Sequence, residues 1–136
     1  MTKKILCATD GSAHSDAALA AAAEMAARFG APLSLIAVNI QVPEGRGRSH
    51  PLWTDQEFDQ ILSSARQKAT SLAGREVETV KAVGRNPTDV IVDYADRNGF
   101  DHVVVGTPRT GVSRIVLGSV AAAVVAKAHC PVTVAR

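Results

Sequence analysis

The chain has 136 residues, 46% of them apolar and 4% aromatic, with 15 basic and 13 acidic side chains for a net charge of +2. That is one domain's worth of core, packed by Ala, Val, Ile and Leu, and the balanced charge gives no reason to expect a nucleic acid or an anionic membrane as partner. Two cysteines, Cys7 and Cys130, are too few for a disulfide framework and read as buried free thiols, and no His or Cys spacing suits a metal.

Met1-Thr2-Lys3-Lys4 leads directly into a short apolar run, shorter than a secretory signal requires, and no run reaches transmembrane length. A cytoplasmic protein is expected. Ile5–Thr9 is nearly continuous in apolar residues, the mark of a parallel strand buried on both faces. Asp10-Gly11-Ser12 turns the chain, and Ser12 is placed to cap a helix over Ser15–Phe29. On that helix Ala18, Ala22, Met25 and Phe29 share one face; Gly30 and Pro32 stop it. Pro32–Ile40 is a second strand. Residues 41–53, rich in Gly, Pro and Arg, read as a loop.

Thr54-Asp55-Gln56-Glu57 is a capping box, and Phe58, Ile61, Leu62, Ala65, Ala69 and Leu72 mark the face of the helix behind it, closed by Gly74. Glu76–Val83 alternates and suits a third strand near a sheet edge. Asn86-Pro87 pairs an N-cap with a proline at the first helical position, and that helix stops at Asn98-Gly99. Phe100–Val105 is a fourth strand, Gly118–His129 a fourth helix, and Pro131–Ala135 a fifth strand. Strands alternating with helices imply a single α/β domain over residues 1–136, a parallel sheet with helices on both faces and right-handed crossovers.

Ligands in such folds bind at the carboxyl ends of the strands, where strand order reverses. Two loops compete for that place: Thr9-Asp10-Gly11-Ser12, and the long turn from Gly106 to Ser119. The second enters a helix at Gly118-Ser119, where unpaired backbone N–H groups suit an anion such as a nucleotide phosphate. His14 belongs near the same mouth. His50 with Arg46 and Arg48 reads as a small solvated basic loop. His102 and His129 flank strands and read as structural.

Four segments carry a family resemblance: Ile5-Leu6-Cys7-Ala8-Thr9-Asp10-Gly11-Ser12, then Asp101-His102-Val103-Val104-Val105-Gly106-Thr107, then Arg109-Thr110-Gly111-Val112-Ser113-Arg114 running on to Gly118-Ser119-Val120, and last His129-Cys130-Pro131-Val132-Thr133-Val134. They resemble the universal stress protein family over nearly the whole chain, least over residues 41–75. The resemblance implies a Rossmann-like, five-stranded parallel sheet of order 3-2-1-4-5. It also implies a homodimer built on the last strand, Val132, Thr133, Val134 and Ala135. An apolar edge invites that pairing, and a twofold contact buries both copies.

One branch of the family binds ATP with a loop Gly-x2-Gly-x9-Gly-Ser/Thr. Carried over by position, Ala8, Thr9 and Asp10 would line the nucleotide site, with Val38 and Asn39 near the adenine. Gly106, Gly118, Ser119 and Val120 would close on ribose and phosphates. The implied ligand is ATP or another adenine nucleotide, with Mg2+ beside Asp10 as an open option. Asp10 would orient the adenosine or help hold that ion, or else serve only as a turn residue that caps the adjoining helix; Ser119 would be a phosphate donor, a helix cap, or both.

This chain departs from the pattern at one place. Eleven residues separate Gly106 from Gly118, where the family loop has twelve. The simplest alignment deletes the second glycine, leaving Arg109 or Pro108 in its place. Proline has no N–H to offer. One hydrogen bond to a charged acceptor is worth about 1.5–3 kcal/mol, so the shortened loop should weaken the phosphate cradle, outer phosphates most. AMP, ADP or a cyclic nucleotide are then live ligands. Gly111 would relax the turn, and Arg109 and Arg114 would supply guanidinium donors.

Three functions follow: a nucleotide-binding regulatory dimer; a family member without nucleotide that acts as an interaction module; and a slow ATPase. The last lacks a dedicated general base, a Ser-His-Asp arrangement, a Walker A loop and a Gly-x-Gly-x-x-Gly motif.

Overall fold

The computed structural model describes residues 2–108 and 117–136. The elements run β1 (Ile5–Ala8), α1 (Ala13–Phe29), β2 (Leu33–Gly45), β3 (Arg48–Pro51), α2 (Asp55–Ala73), β4 (Glu78–Gly84), α3 (Pro87–Arg97), β5 (His102–Gly106), α4 (Ser119–Lys127) and β6 (Val132–Ala135). Five of the strands lie parallel across the sheet in the order β4-β2-β1-β5-β6. Taking those five in chain order, this is the expected 3-2-1-4-5. The sheet has a sixth strand, however: β3 pairs antiparallel with the far end of β2.

That sixth strand corrects the loop expected over residues 41–53. β2 runs on past Ile40, turns at Gly45-Arg46-Gly47, and returns as β3. All three turn residues have positive φ, at 90°, 51° and 72°. Two glycines flanking an arginine permit that conformation, which L side chains rarely adopt. The composition that reads as loop is in fact hairpin-turn chemistry.

The sheet is apolar on both faces because its strands are sandwiched. On one face Ile5, Cys7, Leu33, Leu35 and Val104 meet the alanine stripe of α1 (Ala18, Ala22, Ala26) and Ala65 and Ala69 of α2. On the other, Leu6, Ile36, Val38, Val103 and Val105 meet Ile91 and Ala95 of α3 and Ala121 and Val124 of α4. Small side chains let the helices approach the sheet closely. Each fully buried Val, Leu or Ile contributes about 1.5–3 kcal/mol of transfer free energy.

Two residues expected in the core lie outside it. Phe29 and Leu72 are 56% and 57% exposed. Phe29 has the right angular sector but is the last residue of α1. Leu72 is turned about 60° from the Ala69 line at 3.6 residues per helical turn.

The helix starts follow the sequence signals. Ser12 caps α1 by accepting from the Ser15 N–H, Thr54 and Glu57 form the full capping box of α2, and Asn86 caps α3 with Pro87 at its first position. At α4 the cap is Gly118; Ser119 is already the first helical residue and makes no capping bond, which corrects that part of its expected role. Cys7 is buried, and burial pushes its thiol up to about 12. Cys130 is only half-buried, at the mouth of β6, so the paired expectation holds for one thiol of the two. Among the described residues no helix is long and apolar enough to cross a membrane.

Candidate functional site

At the carboxyl ends of β1, β2 and β5 the parallel sheet opens into a cleft of about 340 Å³. This is where sheet order reverses: β1 has β2 on one side and β5 on the other, and their following helices leave to opposite faces. Its apolar side is made by Ile36, Val38 and Ile40 of β2, Ile91 of α3, and Val105 and Val120. Its polar side is made by Thr9, Asp10, His14 and Ser15. An apolar wall with a few convergent polar groups is the ordinary make-up of a small-molecule site.

The polar side is organised by the turn from β1 into α1. Gly11 takes φ 81°, which aims Asp10 back over the helix start. Asp10 Oδ1 accepts the Ser12 N–H at 2.9 Å and the Ser12 hydroxyl at 2.5 Å, and Oδ2 lies 3.8 Å from His14 Nε2. Partial burial pulls the Asp10 carboxyl upward. The Ser12 hydrogen bonds, with help from Ser15 and His14, outweigh it and hold the group below the usual carboxylate range. Asp10 is therefore a carboxylate at neutral pH. Thr9 is buried, its hydroxyl 3.4 Å from that of Ser15.

Gly106 ends β5 under the first turn of α1. A Cβ at that position would run into the carbonyl oxygen of His14. The glycine is thus required by close approach of two backbones, and the same approach brings His14 to the β5 side of the cleft.

The sequence-derived site residues fall into three groups. Ala8, Thr9, Asp10, Val38, Gly106 and Val120 line the cleft together. Asn39, Gly118 and Ser119 are beside it but not in its wall. Asn39 is 3% exposed and clamps the backbone of Trp53: its Nδ2 donates to the Trp53 carbonyl at 3.0 Å and its Oδ1 accepts the Trp53 N–H at 2.9 Å. The Gly118 N–H donates to Thr107 Oγ1 at 2.7 Å. Arg109, Gly111 and Arg114 lie outside the described residues.

Sequence reasoning missed Leu52 and Trp53, which wall the cleft from the β3–α2 connection. The Leu52 N–H bonds the Ile40 carbonyl at 2.8 Å, and the Trp53 ring lies 5.7 Å from that of Phe58. The usable signal was an isolated tryptophan just ahead of a capping box. A second hollow, between α1 and α2, shares Thr9 and Trp53 with the cleft; its Lys68 is held by Asp16 at 3.1 Å. Among the described residues no cluster of three His, Cys, Asp or Glu side chains could hold a metal, and Asp10 is the one carboxylate in the wall of the cleft.

Known proteins agree with this architecture. The chain belongs to the universal stress protein family, whose profile matches residues 1–136. It is 34% identical to a universal stress protein of Methanocaldococcus jannaschii over 141 aligned residues, covering 98% of this chain and 82% of the relative. Among solved structures it is similar to a universal stress protein in complex with cAMP, with TM-score 0.77 and 27% identity over 99% of this chain and 97% of that one. It is similar also to the Archaeoglobus fulgidus universal stress protein in complex with dAMP, with TM-score 0.73 and 29% identity over 100% and 98% of the two chains.

Proposed function

We propose that this chain is an adenine-nucleotide-binding regulatory protein, and that the ligand sits in the cleft at the carboxyl ends of β1, β2 and β5. The observation that carries the reading is the division of that cleft. Val38, Ile36 and Ile91 offer a dry slot for a base, and the Asp10 carboxylate stands at the mouth, where a ribose hydroxyl would donate to it. Its volume lies at the small end of the usual 300–1,000 Å³ range for ligand sites. The cAMP and dAMP complexes of similar proteins support an adenine ligand.

A monophosphate, 5′ or cyclic, is the favoured form. The N–H of Gly118, the N-cap of α4 and one of the residues that the family pattern brings to ribose and phosphates, is answered by the Thr107 hydroxyl. Both bound nucleotides in the similar structures carry one phosphate. ATP with Mg2+ is the second reading. The Asp10 carboxylate favours it, because Mg2+ is commonly held by one or two carboxylates together with substrate phosphates.

Calorimetry with AMP, cAMP and ATP, the last with and without Mg2+, tests the proposal. Binding of AMP or cAMP in preference to GMP is expected. Absence of heat with every adenine nucleotide at millimolar concentration would remove the reading.

We propose further that the protein works as a homodimer through β6. Val132, Thr133, Val134 and Ala135 are half-buried in the single chain, and among the described residues β6 pairs on one side only, with β5. A twin strand would complete both edges. Gly106 pairs with Ala135, and the Thr107 N–H donates to the Ala135 carbonyl at 2.9 Å. The proposed dimer strand is therefore directly bonded to the segment that closes the cleft, a route by which ligand and assembly would influence each other.

A further inference from the structure

The apolar end of the cleft is bounded by two hydrogen bonds to the same side of β2. At the inner end, where β1 leaves the sheet, the Thr9 N–H donates to the Ile36 carbonyl at 2.9 Å. At the outer end the Leu52 N–H donates to the Ile40 carbonyl at 2.8 Å. Carbonyls an even number of residues apart on a strand point to the same side. Leu52 therefore stands on the β1 side of β2, beyond the end of β1, while β4 pairs along the opposite side. Ile36 and Ile40 are four residues apart, which leaves an opening of about 13 Å along the strand at the usual rise per residue. Val38 lies midway along that opening and is in the cleft wall.

The Leu52 side chain turns into this opening. Gln41 pairs with Pro51, so Leu52 comes opposite Ile40, and directly opposed residues share a face of the sheet. Ile36, Val38 and Ile40 alternate onto that same face, and all three line the cleft together with Leu52. Trp53, the next residue, packs instead with Ala37, Phe58 and Leu62 on the α2 side.

The backbone around Leu52 is held in place. Its own N–H is bonded to Ile40, and the Trp53 N–H and carbonyl are bonded to the Asn39 side chain at 2.9 and 3.0 Å. Yet Leu52 is 51% exposed. Its side chain forms a preformed apolar wall whose exposed half a ligand in the cleft would bury, with little ordering of the backbone to offset the gain.

We infer that Leu52 closes the outer end of the adenine slot and packs against the base, which makes it a determinant of how tightly the site holds one. This rests on the adenine-nucleotide reading above and adds the connection between β3 and α2 to that site. The contact is apolar, so it acts on the base and leaves the ribose and phosphate to other residues.

The test combines calorimetry with AMP on wild type, Leu52→Ala and Leu52→Met with nuclear Overhauser contacts in the wild-type complex. Leu52→Ala is expected to bind AMP about five- to tenfold more weakly, the scale for burying the exposed half of a leucine side chain. Leu52→Met, of similar volume, should recover most of that loss. Leu52 is half exposed, so both variants should fold, and their melting curves report it. In labelled wild type, the Leu52 methyl groups should show contacts to the H2 or H8 proton of bound AMP, which a purely structural role would not give. Equal AMP affinity in Leu52→Ala and wild type, or Leu52 methyl groups without a contact to either base proton, overturns the inference while the nucleotide reading stands. Failure of wild type to bind AMP or any other adenine nucleotide removes the reading itself, and the role of Leu52 with it.

Discussion

Gly106 shows how one residue decides whether the site exists. Its missing Cβ is what lets β5 end against the His14 carbonyl. Gly106→Ala forces those backbones apart and is expected to destabilise the fold by about 1–3 kcal/mol, the range for overpacking. Urea denaturation measures it, and a neutral result would mean that the approach is looser than described. Asn39→Ala leaves the Trp53 N–H and carbonyl without their partners. It should cost about 1–3 kcal/mol and redden the emission of the only tryptophan in the chain. Unchanged stability and emission would count against the clamp.

Asp101 offers a pH test. Slight burial pulls its carboxyl upward, but the N–H groups of Lys4 and Lys3 donate to it and hold it below the usual range. A depressed carboxylate stabilises the fold above its unfolded value, and that contribution is lost as pH falls through the folded one. Asp101→Asn should therefore melt earlier than wild type at pH 7. The gap should close on acidification below about pH 4, where the wild-type group also loses its charge. A gap of constant size would contradict it.

At the scale of elements, the starts of helices and the buried strands were legible because their signals are local. Ser12, Thr54 with Glu57, and Asn86-Pro87 each act within four residues of themselves. Removing the hydroxyl in Thr54→Ala should lower stability by about 1 kcal/mol, seen in the same denaturation experiment; no loss would mean the box is redundant. The β2–β3 hairpin was not legible, since its polar, glycine-rich composition matches loop and hairpin alike. The Asn39–Trp53 clamp joins residues fourteen apart across that hairpin, and no local pattern encodes it. The same holds for the cleft: Asp10 and Gly106 could be placed from strand ends and family likeness. Leu52 and Trp53 enter only through the fold of the hairpin.

For the whole molecule, a doubly covered parallel sheet places the cleft at its carboxyl ends, and the proposed homodimer would use the β6 edge, which among the described residues pairs with β5 alone. Val134→Lys would set like charges against each other in a β6–β6 contact. Sedimentation should show wild type as a dimer and this variant shifted toward monomer, whereas equal behaviour of both would place the interface elsewhere.

The central claim is that an adenine nucleotide occupies the cleft between the apolar end of β2 and the first turn of α1. Amide chemical shifts of nitrogen-labelled protein titrated with AMP test it most directly. Perturbations are expected at Thr9, Asp10, His14, Val38, Gly106 and Val120, and at the Trp53 indole. Saturating AMP that leaves these signals in place, or moves only residues remote from the carboxyl ends of β1, β2 and β5, would contradict it.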